Sequence, residues 1–276
     1  MTETSVVHLG LVNDAENSAL VRHVLGGVAL SMGFDEGLIA DAKTAVSEAC
    51  SNVVLHAYHG ERGPLEVTIG VHAAGLMVVV RDRGDGIQPR RVDDERGVLG
   101  VGLSLIQALT DRVEFRGAPG EGTEVRMSFH AEPQSDSQAT VAAIQGLLDD
   151  LPPMPAGDIA VAVSPGALAG PVLGAVIAVL ASRADFSLDR LADAQLVTDT
   201  IAAHAGGTIP GPYLKLAIDS GERTLMLRLG PLADGGAARL VDSSALGAIR
   251  PLEVLANGLT TERQDGSEYL TLSLAA

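Results

Sequence analysis

The sequence predicts an α/β (α+β) two-layer sandwich, with a mixed, mostly antiparallel sheet and helices on one face, present twice in tandem. The length of 276 residues fits one large or two small domains. Apolar runs of strand length alternate with segments whose apolar residues recur at helical spacing. An ungapped shift of 152 residues lays the strand at 7–11 on the strand at 159–163, and the helices that follow also coincide.

Each predicted element of the first copy rests on a local signal. Asn13 and Glu16 form a capping-box pattern at the start of the first helix, and the turn at 73–75 joins two strands as a hairpin. In chain order, the predicted elements are a strand at 7–11, a helix after Asn13, a helix at about 35–58, strands at 67–71 and 76–81, a helix at 103–110 and a strand at 125–130.

The repeat divides the chain into a domain at 1–133, a polar linker at 134–157 and a second domain at 158–276. The second domain opens with the uncharged stretch 159–181, which is long enough to cross a bilayer. The matching segment of the first copy carries charges, and Ser164 with Pro165 forms a helix-start signal. We therefore interpret the stretch as a buried strand and helix, and expect no membrane association.

Composition excludes several functional classes. The 35 acidic and 19 basic residues give a net charge of −16, which argues against direct binding of nucleic acid. A single cysteine excludes a disulfide framework and a multi-thiolate metal site, and fits a reducing cytoplasm. No basic region of a secretory signal is visible at the N-terminus, so a cytoplasmic location is expected.

Common nucleotide and hydrolase motifs are also missing. Neither Lys43 nor Lys215 follows the glycines of a P-loop, and the sequence holds no G-x-G-x-x-G, G-x-S-x-G or H-x-x-x-H pattern. His56 and His59 lie three residues apart at a helix end with no further ligand close in sequence. They are interpreted as capping or surface groups rather than a metal pair.

The second predicted helix carries a polar stripe at Asp41, Thr44, Glu48 and Asn52, beside its apolar core face. Glu48 and Asn52 are four residues apart and project together. A carboxylate can accept a proton or orient a water, and an amide oxygen suits Mg²⁺. A solvated helix face is the alternative interpretation.

Two glycine-rich segments follow. Asp82 ends a strand, where it can accept a hydrogen bond from an exocyclic amine, and Gly84 and Gly86 let the backbone approach a flat ring; an ordinary Asp-Gly turn is the alternative. Gly100 and Gly102 open a helix, where N–H groups favour phosphate oxygens. The charged stretch at 88–95 fits a loop that closes over a ligand, or any surface loop.

These features, in this order, resemble the GHKL (Bergerat-fold) ATPases, and within them the serine kinases that act as anti-sigma factors. The resemblance covers about residues 7–131 and includes the His56-Ala-Tyr58 sequence after the second helix. The resemblance implies that Glu48 is catalytic and that Asn52 binds Mg²⁺. It also implies that adenine is bound by Asp82, Gly84 and Gly86 and that the triphosphate is bound by Gly100 and Gly102. The adenine pocket would be supported by Gly122 and Thr123.

The second copy has lost these groups. Matched without gaps within each segment, it carries Thr200 for Glu48, His204 for Asn52, Leu229 for Asp82, Pro231 for Gly84 and Ile249 for Gly102. We expect a degenerate domain that binds no ATP. Because single-copy members of the family form homodimers, the second copy is expected to replace the partner in a pseudo-dimer within the chain.

The resemblance implies an ATP- and Mg²⁺-dependent protein serine/threonine kinase. Its substrate would be a serine on an anti-anti-sigma protein of the STAS type, and its regulatory target a sigma factor. The alternative is a non-catalytic, ATP-gated module that sequesters a regulatory partner. A cluster of basic residues near the proposed site favours an anionic ligand; its members are Arg81, Arg83, Arg90, Arg91 and Arg96.

Overall fold

The computed structural model describes residues 4–72, 74–86, 101–131, 146, 151, 153–243 and 251–276. The chain forms two compact units, Met1–Leu151 and Pro152–Ala276. The predicted phosphate-binding Gly100 and the predicted closing loop at 88–95 lie outside the described residues. So does most of the predicted linker.

The first unit alternates strands with helices. Its elements are β1 (Ser5–Val12), α1 (Ala15–Ser31), α2 (Glu36–Asn52), a π-helical turn (Val53–Ala57), β2 (Pro64–His72), β3 (Gly75–Asp82), α3 (Val101–Leu109), β4 (Arg112–Gly117) and β5 (Thr123–His130).

The sheet of the first unit has the strand order β4-β5-β3-β2-β1, and every ladder described in it is antiparallel. Val7 lies opposite Ile69, Ile69 opposite Val78, and Val78 opposite Met127. These four side chains form one row across the sheet, and each is fully buried. Helices α1 and α2 pack against each other and against the sheet, so the predicted two-layer arrangement is confirmed.

Strand β4 is absent from the sequence prediction. Charged and apolar side chains alternate along its first five residues. At the sheet edge, Arg112 pairs with Glu114 of the same strand, and Arg116 pairs with Glu124 of β5. Hydrogen bonds from Arg116 and Arg112 lower the pKa of Glu114. Charge along an edge strand hinders pairing with another chain, and a segment this short and polar carries a weak strand signal.

The predicted capping box at the start of α1 is wrong by one residue. Asp14 is the N-cap, and its side chain accepts a hydrogen bond from the Glu16 amide at 2.9 Å. Asn13 instead bridges a distant loop, because its side chain donates to the Glu61 carbonyl at 3.0 Å and accepts from the Gly63 amide at 2.7 Å. Asn13, which the local pattern assigns to the helix cap, is thus used in a tertiary contact instead.

Among the described residues, the second unit has the same order of strands and helices as 5–130, with one further short helix before its last two strands. Its elements are β6 (Ile159–Val163), α4 (Ala169–Arg183), α5 (Leu188–His204), a 3₁₀ turn (Ala205–Gly207), β7 (Leu214–Ser220), β8 (Thr224–Leu232), α6 (Gly236–Ser243), α7 (Pro251–Leu255), β9 (Gly258–Gln264) and β10 (Ser267–Ala275).

The order β6-β7-β8-β10-β9 repeats the strand arrangement of the first unit. The helix predicted to begin at Pro165 begins instead at Ala169, after a bent segment. In the described part of the chain, no helix is both long enough and apolar enough to cross a bilayer.

The ladder registers correct the sequence match between the units by two residues. Ile69 lies opposite Val78 in the first unit, as Ile218 lies opposite Leu227 in the second. The third strands therefore correspond at an offset of 149 residues, from 78 to 227, and the position of Asp82 falls on Pro231 rather than Leu229. The acidic side chain is missing under either match.

Burial lowers the pKa of His8 below its ordinary 6.5, with Arg81 adding to the effect and Glu66 opposing it. Its imidazole lies 2.8 Å from the Thr68 hydroxyl. The unfolded chain therefore binds this proton at a higher pH than the folded chain, and stability falls as the pH drops through 6.5 towards the folded pKa.

We expect the free energy of unfolding, measured with urea, to decrease between about pH 7.5 and pH 5.5. The decrease should be smaller in His8→Phe, which has no imidazole to protonate. The exposed His23 gives the matched control: His23→Gln should keep the wild-type slope. Equal slopes in His8→Phe and wild type would show that His8 does not cause the pH dependence.

Candidate functional site

Helix α2 carries the two polar residues at the centre of the candidate site. The Asp35 side chain caps it by accepting the Leu38 amide at 3.0 Å, and Ala42, Ala45 and Ala49 bury its opposite face. Asp41 and Thr44 are exposed, whereas Glu48 and Asn52 are half-buried. Neither Glu48 nor Asn52 forms a side-chain hydrogen bond with the described residues. Both remain available to a ligand.

The predicted helix at 35–58 is two segments in the structure. Regular α-helix ends at Asn52, and a π-helical turn continues to Ala57. Such turns are rare and frequently mark functional sites. Here the turn places the Ala57 carbonyl so that it accepts a hydrogen bond from the Asp85 amide at 3.1 Å.

Asp82 lies at the end of β3 with only 4% of its surface exposed. Its Oδ1 atom accepts two backbone hydrogen bonds, from Gly84 at 2.8 Å and from Thr123 at 3.2 Å. The Oδ2 atom takes none from the described residues. One oxygen thus fixes the carboxylate, and the other is left as an acceptor for a donor outside the protein.

The glycines of this turn make close backbone contacts. A Cβ at Gly84 would overlap the Ala57 carbonyl, and a Cβ at Gly86 would overlap the carbonyl of Ala118. Gly86 also has φ of +74°, which L side chains rarely adopt. The turn packs on both the end of α2 and the segment 118–122, so a side chain at either glycine would displace it.

Helix α3 meets α2 at Glu48. A Cβ on Gly102 would overlap the Glu48 carboxylate, so only glycine lets the two helices approach this closely with that carboxylate between them. Because α3 begins at Val101, the N–H groups of its first turn have no intrahelical acceptor. The structure therefore brings Glu48 and Gly102 together, two residues far apart in sequence.

Two members of the predicted basic cluster, Arg81 and Arg83, are paired with glutamates in the structure. Arg81 points away from Asp82 by strand alternation and donates to Glu124 at 3.0 Å from its Nε atom, while Arg83 donates to Glu66 at 2.8 Å. Although burial opposes its ionisation, hydrogen bonds from Arg126 and Arg81 lower the pKa of Glu124. Among the predicted members, Arg90, Arg91 and Arg96 lie outside the described residues.

Sequence reasoning missed several contacts that hold the site. The Tyr58 hydroxyl accepts the Arg83 amide at 2.7 Å, His59 Nε2 lies 2.5 Å from Asp85 Oδ2, and the Gly120 amide donates to the Asp85 carbonyl at 2.7 Å. The glycine-rich segment at 118–122 was a visible turn signal. Nothing in its composition shows that it packs on the Asp85 turn.

The second unit fills the corresponding region with its own carboxylate. Glu268 lies four residues before Leu272, as Thr123 lies four before Met127, and Leu272 and Met127 hold the same ladder position. The two Glu268 oxygens accept the amides of Gly235 at 2.9 Å and Ala237 at 3.2 Å. These backbone hydrogen bonds lower the pKa of Glu268. Both oxygens are engaged, unlike those of Asp82.

The side chains of the described residues form no evident metal site of their own. No group of three or more histidine, cysteine, aspartate or glutamate side chains converges within the described residues. A cation here would need its remaining ligands from phosphate oxygens and water, as Mg²⁺ commonly takes them. The Oδ2 atom of Asp82 is an acceptor that the described residues leave open.

Comparison with known proteins identifies what the first unit is similar to. The histidine kinase-like ATPase domain family matches residues 11–129, a range that contains every predicted site residue. The chain is 31% identical over 138 residues to the anti-sigma F factor of Thermoanaerobacter sp. (strain X514), covering 46% of this chain and 95% of that protein.

Serine-protein kinases named RsbW are also similar to part of the chain. Identity is 34% over 132 residues with the Bacillus velezensis protein, covering 43% of this chain and 82% of that one. It is 35% over 118 residues with the Bacillus subtilis (strain 168) protein, covering 38% and 74%.

Proposed function

The chain belongs to the GHKL family of histidine kinase-like ATPases, and from this premise we propose that residues 1–133 bind ATP with Mg²⁺ and phosphorylate a protein serine. The substrate would be an anti-anti-sigma protein of the STAS type in the cytoplasm. Phosphorylation of that protein would control how much of a sigma factor is free. The anti-sigma and serine-kinase names of the relatives support this assignment.

The observation that carries the proposal is the half-used carboxylate of Asp82. Its Oδ1 is held by two backbone amides, and its Oδ2 takes no hydrogen bond from the described residues. A 6-amino group on a purine is a donor of the right kind for that oxygen. Gly84 and Gly86 carry no side chains, and their close contacts with the Ala57 and Ala118 carbonyls fix the backbone of the turn beside this oxygen.

The remaining site residues have distinct roles in this proposal. Asn52 would hold Mg²⁺ through its amide oxygen, and the ion when bound would neutralise phosphate charge. The amides at the start of α3, next to Gly102, would bind phosphate oxygens. Glu48 would accept the proton of the substrate serine as its oxygen bonds to the γ-phosphorus and the bond to ADP breaks.

The second unit, 158–276, would be a degenerate copy joined by the linker at 134–157. Its lost carboxylate at Pro231 and its engaged Glu268 support a unit without a base site. We propose that it replaces the second subunit of single-copy relatives. Light scattering should then give the mass of one 28.3 kDa chain, and an obligate symmetric dimer would contradict this arrangement.

The kinase proposal is tested by isolating partners in the presence of ATP and mapping phosphorylated residues on whatever binds. The expected result is a phosphoserine on a STAS-type protein, formed only with Mg²⁺ and ATP. Stable ATP binding without any ADP or phosphoprotein would contradict catalysis. It would favour instead the ATP-gated module that sequesters its partner.

A further inference from the structure

Tyr58 joins three parts of the first unit through one hydroxyl group. The residue follows the π-helical turn at the end of α2. Its hydroxyl donates to the Pro64 carbonyl at 2.6 Å, where β2 begins, and accepts the Arg83 amide at 2.7 Å, just after β3. The tyrosine therefore connects the helix that carries Glu48 and Asn52 to the turn that follows Asp82.

The three consecutive amides after Asp82 all have fixed acceptors. Arg83 donates to the Tyr58 hydroxyl at 2.7 Å, Gly84 to Asp82 Oδ1 at 2.8 Å, and Asp85 to the Ala57 carbonyl at 3.1 Å. Two of these three acceptors belong to residues 57 and 58. The direction in which Asp82 presents its free Oδ2 atom thus depends on the end of α2.

The tyrosine is itself held in place. A Cβ at Gly63 would overlap its ring, so the ring lies directly against the backbone there. Gly63 is in turn fixed by Asn13, which accepts its amide at 2.7 Å and donates a backbone hydrogen bond to its carbonyl at 2.9 Å. Burial raises the pKa of the Tyr58 phenol.

The copy that lacks the base acceptor also lacks this tyrosine. At the ungapped offset of 152 residues, which aligns the ends of the second helices, Pro210 stands at the position of Tyr58. Its ring nitrogen and short side chain offer no hydroxyl. One residue short of that offset, the Thr208 carbonyl accepts a backbone hydrogen bond from the Ala233 amide at 2.8 Å, a contact similar to that of Ala57.

We propose that Tyr58 is a positioning residue for nucleotide binding: its hydroxyl fixes the turn after Asp82, so that the base acceptor stays in register with the end of α2 that carries Glu48 and Asn52. This inference rests on the proposed ATP site. It assigns Tyr58 no contact with the nucleotide. Its effect passes through the Arg83 amide to the carboxylate of Asp82.

The test is Tyr58→Phe in the full chain, which keeps the ring against Gly63 and removes only the hydroxyl. Titration calorimetry with ATP, ADP and adenosine should show dissociation constants raised about five- to tenfold for all three ligands, the effect of about one hydrogen bond. The rate of phosphoryl transfer at saturating ATP should stay within about twofold of wild type, because the variant weakens binding of the ground state and of the transition state equally.

Tyr269→Phe provides the matched control, since it removes a tyrosine hydroxyl from the second unit, and it should leave all three affinities unchanged. A merely structural role for Tyr58 would lower the melting temperature without changing these affinities. Gly63→Ala is an independent variant that keeps the hydroxyl but displaces the ring, and it should weaken the same three ligands.

Wild-type affinity in Tyr58→Phe would overturn the inference, and so would weaker binding of ATP with unchanged binding of adenosine. If Tyr58→Phe does not fold, wild-type affinity in Gly63→Ala would overturn it instead. Failure of the wild-type chain to bind ATP at all would reject the proposed function itself. That result is distinct, because it appears before any variant is compared.

Discussion

Glu48→Ala should abolish phosphoryl transfer while ATP binding persists. We expect the transfer rate to fall at least about 100-fold, the usual loss when a positioned general base is removed. The dissociation constant for ATP should change by less than about threefold, because the proposed role of Glu48 is to accept a proton in transfer and involves no contact with the base. Single-turnover phosphorylation of the partner, with separate titration of ATP, measures both quantities.

Two features of Glu48 make this variant informative. The side chain has no hydrogen-bond partner among the described residues, so its removal leaves no buried group unsatisfied. Alanine also favours a helix interior, and the fold should be as stable as wild type. Asp41→Ala removes an exposed carboxylate from the same stripe of α2 and should leave transfer unchanged. Undiminished transfer in Glu48→Ala would refute the assigned role.

Asp82→Asn should weaken ATP binding by about 100-fold, since it replaces an acceptor with a donor that opposes the purine amine. The amide oxygen can keep the place of Oδ1 and still accept the Gly84 and Thr123 amides. The fold should therefore survive, with the changed group aimed at the ligand. Titration with ATP at constant Mg²⁺ gives the affinity, and thermal unfolding gives the stability.

The other aspartate of the same turn serves as the control. Asp85 is exposed and its side chain contacts His59 rather than the space beside Asp82, so Asp85→Asn should bind ATP nearly as wild type does. Equal affinities for Asp82→Asn and wild type would place the base elsewhere. A parallel loss in both variants would point to general disruption of the turn.

Much of the fold follows from local sequence patterns. The buried strands β1, β2, β3 and β5 have continuous or alternating apolar residues, and α1 and α2 have helical spacing with polar caps. These patterns predicted the elements to within a few residues. Strand β4 was missed because it is short and half of its six residues are charged, and its place in the sheet comes from pairing with β5. No signal inside such a segment reveals that pairing.

The candidate site divides in the same way. Sequence spacing pointed to Glu48, Asn52, Asp82 and the glycines. Proton acceptance, metal binding, base binding and close backbone approach each require certain residue types at certain places on a helix, strand or turn. Sequence spacing could not show that Gly102 contacts Glu48, or that Arg81 and Arg83 are taken up by Glu124 and Glu66. These facts depend on which distant segments meet.

The sequence by itself therefore determined most of the elements and their order, and it pointed to the chemical groups of the candidate site, since helix and strand periodicity and turn residues act over a few positions. Only the tertiary structure decided how those groups are used. In the tertiary structure, one oxygen of Asp82 accepts backbone hydrogen bonds and the other is left free. The Tyr58 hydroxyl accepts the Arg83 amide and so holds the turn after Asp82. The physical reason is that a buried polar group must find a partner wherever packing provides one, and packing joins residues that no local pattern connects.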